Sequence, residues 1–207
     1  MARTVTISSS FGAGGNVVGP EVARRLGLPF FDRAIPAAVA GRLAMPLEEA
    51  DEQDEKAPSS WARVARAFAN MAVPMAPQNL AVQDDPEHFR AETERILIEI
   101  AETTGGVVLG RGAMVVLRDR ADVLRVRLDG DIDARVGRVA ELQHLDLDEV
   151  RAMQRDTDGA RDRYLRLFYR AHQDAPSLYD LVIDSIAIPL EACAQLIVAA
   201  AAAKGAG

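Results

Sequence analysis

The sequence predicts an α/β fold in which helices cover both faces of a doubly wound, mostly parallel sheet. Three observations carry that expectation. Short β-branched or apolar runs alternate along the chain with amphipathic stretches long enough for helices. The run Val107-Val108-Leu109 is apolar throughout and bounded by glycines, as suits a strand buried on both sides. Gly12, Asp32, Arg111, Asp129 and Asp184 all fall where predicted strands end, and such sheets bind ligands along that carboxyl edge.

Residues 4–15 open with the β-branched Thr4, Val5, Thr6 and Ile7 and run into a glycine turn. Val18, Val22 and Leu26 follow at a spacing of four, one face of a helix that Gly27 closes as C-cap. Pro29-Phe30-Phe31-Asp32 reads as a short second strand ending in a carboxylate, and 33–44 as a helix that Pro46 breaks. Residues 48–60 are acidic and polar, the pattern of a solvated surface segment. Trp61 to Met71 is an apolar-rich helix with surface enough for a homodimer contact, while Val73 to Gln83, with two prolines, is loop. Asp85-Pro86 supplies an N-cap and a first-position proline to a long helix that buries Phe89, Ile96 and Ile100 and ends at Gly105-Gly106. Further strands cover Val107 to Leu109, Asp122 to Asp129 and Leu181 to Asp184. Between the last two, the capping-box pattern Asp146-Leu147-Asp148-Glu149 opens a largely helical stretch over 147–170.

With 207 residues and 49% hydrophobic content, the chain can bury one sizeable core and carry a small subdomain. A net charge of −7 argues against general nucleic-acid binding, which needs a basic face. The single Cys193 excludes an internal disulfide, and His88, His144 and His172 lack metal-ligand spacing, so no protein metal site is expected. No signal pattern and no apolar run of about 18 residues is present, so the chain reads as cytoplasmic and without a membrane partner.

The stretch from Ser9 to Asn16 has the setting of a phosphate cradle, a glycine loop between a strand and a helix N-terminus. Against the pattern G-x-x-x-x-G-K-[ST], Gly14 is in place, but Ser9 stands for the first glycine, Gly15 for the lysine and Asn16 for the hydroxyl residue. The missing lysine is worth about 3 kcal/mol or more to a phosphoryl transfer. Arginines crowd later in the chain, at Arg135, Arg138, Arg151, Arg155, Arg161, Arg163, Arg166 and Arg170. On a helix Asp158 and Arg161 pair at i,i+3, and guanidinium forks match phosphate oxygens two at a time. Tyr164 and Tyr169 lie in an amphipathic stretch and read as packing.

Several pieces in order carry a family resemblance: Ile7-Ser8 with Phe11-Gly12-Ala13-Gly14-Gly15, Leu28-Pro29-Phe30-Phe31-Asp32-Arg33, Gly110-Arg111-Gly112-Ala113, Leu117-Arg118-Asp119-Arg120, Thr157-Asp158-Gly159-Ala160-Arg161 and Tyr179-Asp180-Leu181. Together they resemble the cytidylate-kinase-like branch of the P-loop nucleoside monophosphate kinases. That branch commonly has Arg-Glu where this chain has Ser9-Ser10.

The resemblance implies a single P-loop kinase-like domain over 1–207. Its core would be 1–32, 105–135 and 176–207, its acceptor-binding helical insert 33–104, and its arginine-rich lid 136–175. It implies that Gly12, Ala13, Gly14, Gly15 and Asn16 surround the donor phosphates, with Arg135 and Arg138 also on the ATP side. Asp32, Arg33 and Arg111 would serve the acceptor, and Arg155, Asp158 and Arg161 the transfer itself, with a lid arginine replacing the lysine. The expected activity moves the ATP γ-phosphoryl to a nucleoside monophosphate, CMP or dCMP first, with Mg²⁺ held mainly by the nucleotide phosphates. The alternatives are a nucleotide or phosphometabolite sensor that has lost transfer, and a kinase of a non-nucleotide acceptor.

Overall fold

The structure is a computed structural model that describes residues 2–32 and 86–204. The expected helices over 33–44 and 61–71, the segments 48–60 and 73–83, and the acceptor residue Arg33 lie outside the described residues. The chain divides into two compact units, one of Met1–Arg33 with Thr93–Gly207 and one of Ala34–Glu92.

The strands of the first unit are β1 (Thr4–Ser9), β2 (Phe30–Phe31), β3 (Gly106–Leu109), β4 (Val123–Asp129) and β5 (Leu181–Asp184). All pair in parallel in the order β2-β3-β1-β4-β5, the doubly wound sheet that the sequence predicts. β1 is central, with Thr4 opposite both Gly106 of β3 and Val123 of β4. The helices are α1 (Gly15–Leu26), α2 (Pro86–Glu102), α3 (Ala113–Val116), α4 (Ile132–Gln143), α5 (Leu147–Tyr169) and α6 (Leu190–Lys204).

Burial explains the arrangement. Val5 and Ile7 of β1 and Leu124, Val126 and Leu128 of β4 form one core with Val18 and Val22 of α1 and Ala194 and Ile197 of α6. Removing a core side chain of this size costs about 2–5 kcal/mol. On the opposite face Leu97 and Ile100 of α2 cover Val108. Gly27 closes α1 in the left-handed conformation at φ 64°. The Asp146 side chain accepts from the Asp148 amide at 2.8 Å and opens α5 at Leu147, as its sequence pattern predicts.

Some boundaries differ from the sequence reading. β3 starts at Gly106, because its amide donates to Arg3 O and so extends the ladder past the apolar run. α2 ends at Glu102, and its deepest described side chains are Leu97 and Ala101. No described helix is long and apolar enough to cross a membrane.

Candidate functional site

β1 delivers the chain to a tight loop. Gly12 and Gly14 take φ of +76° and +80°, a region that costs other residues about 1–2 kcal/mol. Sterics add a second reason, since a Cβ on Gly12 would lie 2.7 Å from Arg135 O and one on Gly14 would lie 2.6 Å from Leu190 Cδ2. Gly14 is the N-cap of α1 and, as a glycine, brings no side chain of its own to cap the helix amides. Two loop amides are satisfied internally, Ala13 by Ser10 O at 3.1 Å and Gly15 by Ser9 Oγ at 3.2 Å. Those of Gly12, Gly14 and Asn16 have no acceptor among the described residues, the condition in which a helix N-terminus receives an anion.

Buried charge behind the loop fixes its shape. Asp158, 9% exposed, accepts from Phe11 N at 2.8 Å, from Gln154 Nε2 at 3.0 Å, from Arg135 Nη1 at 3.0 Å and from Arg161 Nη1 at 3.2 Å. Burial would raise its pKa, but the Gln154 amide, the Phe11 N–H and the Arg161 charge hold it below the usual carboxylate value. Arg135 also donates to Phe11 O at 2.6 Å and Gly130 O at 2.9 Å, and Arg161 to Ser9 O at 2.7 Å. Arg138 reaches Ser185 O at 2.6 Å and Gly12 O at 3.5 Å. The structure thus brings Arg135, Arg138, Asp158 and Arg161 together around the loop, mostly on its backbone. Arg155 stands apart, exposed and without a partner among the described residues.

The absent lysine has a steric counterpart. A Cβ on Gly15 would lie 2.5 Å from Ser9 Cβ, 2.7 Å from Ser9 Oγ and 3.0 Å from Leu109 Cδ1. The serine that replaces the first glycine of the pattern therefore occupies the room a side chain at 15 would need.

A second glycine turn ends β3. Gly110, Arg111 and Gly112 have consecutive φ of +78°, +59° and +66°. Arg111 is half-buried and donates from Nε to Asp32 O at 3.1 Å. Burial lowers its pKa, against the pull of the Asp32 and Tyr164 charges. Gly112 makes room for Tyr169, whose Cε2 would lie 2.9 Å from a Cβ there. Tyr164 and Tyr169 pack at ring centroids 5.9 Å apart, with Tyr169 lying against that turn.

Three participants escaped the sequence reading. Arg127 on β4, 5% exposed, donates to Ser10 Oγ at 3.2 Å, Asp129 Oδ2 at 2.8 Å, Asp174 Oδ1 at 2.7 Å and Gln173 O at 3.0 Å. Ser185 Oγ donates to Ala13 O at 2.7 Å, tying the segment after β5 to the loop. Gln154 is the third, through its bond to Asp158. The alternation of β4 offered a signal for Arg127, a charged side chain in a central strand.

A groove of about 640 Å³ lies between α4 and the segment after β5, with Gly137, Arg138, Glu141, Ile186 and Leu190 among its walls. Nucleotide phosphates fit the open loop amides. For Mg²⁺, no cluster of three acidic, histidine or cysteine side chains exists among the described residues, and the Asp184 carboxylate already accepts from the Ile186 and Ala187 amides. The described residues do not by themselves form an Mg²⁺ site.

A parallel five-stranded sheet with a glycine loop between its central strand and first helix defines a protein of the P-loop kinase fold. The model of the cytidylate kinase-like family matches residues 4–187, and the chain belongs to that family. An uncharacterized protein from Eubacterium ventriosum is similar at 16% identity and TM-score 0.67, over 96% of this chain and 98% of its own. A gluconokinase from Sinorhizobium meliloti is similar at 15% identity and TM-score 0.52, over 97% and 91%. A shikimate kinase from Acinetobacter baumannii, in complex with shikimate, aligns over 99% and 95% at 14% identity and TM-score 0.48. At these identities the likenesses concern the fold. No curated protein matches the chain.

Proposed function

We propose that this protein is a phosphotransferase that moves the γ-phosphoryl of ATP to a nucleoside monophosphate, with CMP or dCMP the first acceptor to test. The carrying observation is the loop after β1, held open from behind by Asp158, Arg135 and Arg161 while the amides of Gly12, Gly14 and Asn16 lack an internal acceptor. In this reading Gly12 to Asn16 surround the donor phosphates, Arg138 borders the donor, and Arg111 with Asp32 and Arg33 meets the acceptor phosphate. Segment 33–104 carries the acceptor side and 136–175 the lid. Phosphoryl transfer asks for positioning and charge neutralisation rather than covalent help. Arg161 is already engaged with Ser9 O and Asp158, so of the pair Arg155 and Arg161 it is Arg155 that we assign to supply the charge a lysine at 15 would bring.

A specific observation favours a second reading, a nucleotide sensor without turnover. Ser9 fills the room beside Gly15, so the loop itself holds no cation. One experiment separates the two. Melting shifts with ATP and CMP in the presence of Mg²⁺ report binding, since a ligand of the native state raises its stability. A coupled assay on the same samples reports transfer. Binding with turnover that falls at least threefold in Arg155→Ala supports the kinase and its lid charge. Binding without turnover supports the sensor. Absence of any shift with either nucleotide removes both.

A further inference from the structure

Arg127 is buried on β4, between β1 and β5, where an apolar side chain is the ordinary choice. It stands opposite Ser8 of β1 and Val182 of β5. Val126 and Leu128 on either side of it enter the core with α1 and α6, so the alternation of the strand turns Arg127 to the opposite face. Asp129 alone would neutralise it, since Nε and Nη2 both donate to Asp129 Oδ2, at 3.1 Å and 2.8 Å. Its other contacts reach further. One is Ser10 Oγ in the phosphate loop, and two are Gln173 O and Asp174 Oδ1 in the segment after α5. Tyr179 braces that segment, with its ring 5.8 Å from the Arg127 Cζ and its hydroxyl donating to the same Gln173 O at 2.8 Å.

The ion pairs continue past Arg127. Asp174, Arg127, Asp129, Arg135, Asp158 and Arg161 form a row of alternating charge, with successive N···O separations of 2.7, 2.8, 3.7, 3.0 and 3.2 Å. Its guanidiniums hold successive loop residues: Arg161 donates to Ser9 O, Arg127 to Ser10 Oγ and Arg135 to Phe11 O. Asp174 is the outer end of the row, its side chain 78% exposed against 6% for Arg127. An ion pair with one partner in solvent opens most readily, because water competes for the carboxylate and salt screens it. Groups buried in one hydrogen-bonded network respond together, since none of them finds water as a replacement partner.

We infer that Arg127 is a positioning residue that couples the phosphate loop to the segment after α5. With Gln173 and Asp174 docked, its guanidinium faces Ser10 and keeps the loop in register on β4. With Asp174 released, the guanidinium turns toward Asp129 and Ser10 loses its donor. Residues 171–175 thereby regulate the affinity of the loop for an anion. This rests on the reading that the loop binds nucleotide phosphates, and the regulated ligand class is the polyphosphate group itself.

The test uses the full chain and measures ATP and inorganic tripolyphosphate by calorimetry, at a temperature where every variant is folded. Wild type, Ser10→Ala, Asp174→Ala and the double variant form one cycle, because Ser10 and Asp174 are joined through Arg127. Each single substitution is expected to weaken both probes about threefold, and the double variant less than about fivefold, since two sites acting through one group are not additive. A loss in the double variant of about fivefold or more, toward the product of independent effects, overturns the coupling. A loss under about twofold in Asp174→Ala, or one confined to ATP, also overturns it and leaves the proposed function standing. Should Ser10→Ala fail to fold, Arg127→Lys takes its place in the cycle, keeping the charge without the planar fork. Wild type that binds neither probe removes the proposed function and this inference together.

Discussion

The glycine turns that end β1 and β3 lie on neighbouring strands, and each closes with a left-handed glycine as a helix N-cap, Gly14 in one and Gly112 in the other. They handle charge in opposite ways. The first turn carries no charged side chain between Ser9 and Asn16, and its shape comes from Asp158, Arg135 and Arg161 buried behind it. The second instead puts an arginine into the left-handed region itself, at φ +59°. One turn is neutral at the front and charged at the back. The other spends backbone strain of about 1–2 kcal/mol to hold a cation at its tip. A phosphate site can thus be built from backbone dipoles kept in register or from a fixed charge, and this fold sets the two side by side.

The comparison breaks most sharply at Asp158. Asp158→Ala leaves the Phe11 amide and two arginines without their shared acceptor, and losing one member of a buried pair costs about 3–5 kcal/mol. For a chain of this size the melting temperature should fall by roughly 10 °C, and a fall of under 3 °C would show that the rear network does not hold the first turn. The same carboxylate predicts a pH dependence. Its folded pKa lies below the ordinary value, so its contribution is complete above about pH 4 and lost as pH falls through the folded value. Melting curves of Asp158→Asn against wild type should therefore converge on the acid side.

A smaller effect sharpens the account of the neutral front. Gly15→Lys overpacks against Ser9 and should cost about 1–3 kcal/mol in denaturant unfolding, with Ser9→Gly in the same chain recovering at least half. Equal stability of Gly15→Lys and wild type would mean the room beside residue 15 is not closed.

The smallest effect on folding belongs to the second turn. Arg111→Gly relieves the left-handed strain and should leave the melting temperature within about 2 °C of wild type. It should weaken CMP binding tenfold or more, the loss of a charge-assisted phosphate contact. A fall in melting temperature beyond 5 °C would identify Arg111 as a structural brace.

Local patterns carried the strands and caps well. β5 spans Leu181–Asp184 and α5 begins at Leu147, both as their patterns predict, because an apolar run and an N-cap aspartate act through near neighbours. Asp158 and Arg161 pair at 3.2 Å, as i,i+3 spacing requires. What the spacing could not convey is the direction these groups face. Asp158 and Arg161 turn toward Phe11 N and Ser9 O, residues about 150 positions away, and no local pattern encodes such a contact. Ser185 was invisible for the same reason, since its bond to Ala13 O exists only once β5 is beside β4. The Ser9 and Gly15 substitutions were each legible as departures from a motif, whereas their steric relation needed the loop closed.

The central place of β1 has a consequence in time. Its partners in the sheet are opposite Thr4 at Gly106 and Val123, so β1 must wait on the ribosome for roughly 100 further residues before it can pair. At synthesis rates of about 5–20 residues per second that wait is on the order of ten seconds. The phosphate loop waits longer still, because Asp158 and Ser185, which shape it, are made later again. Closing contacts so distant in sequence is slow, and a partly made chain has the loop's residues without its form. Ligand binding by this loop is therefore expected among the last properties a newly made molecule acquires.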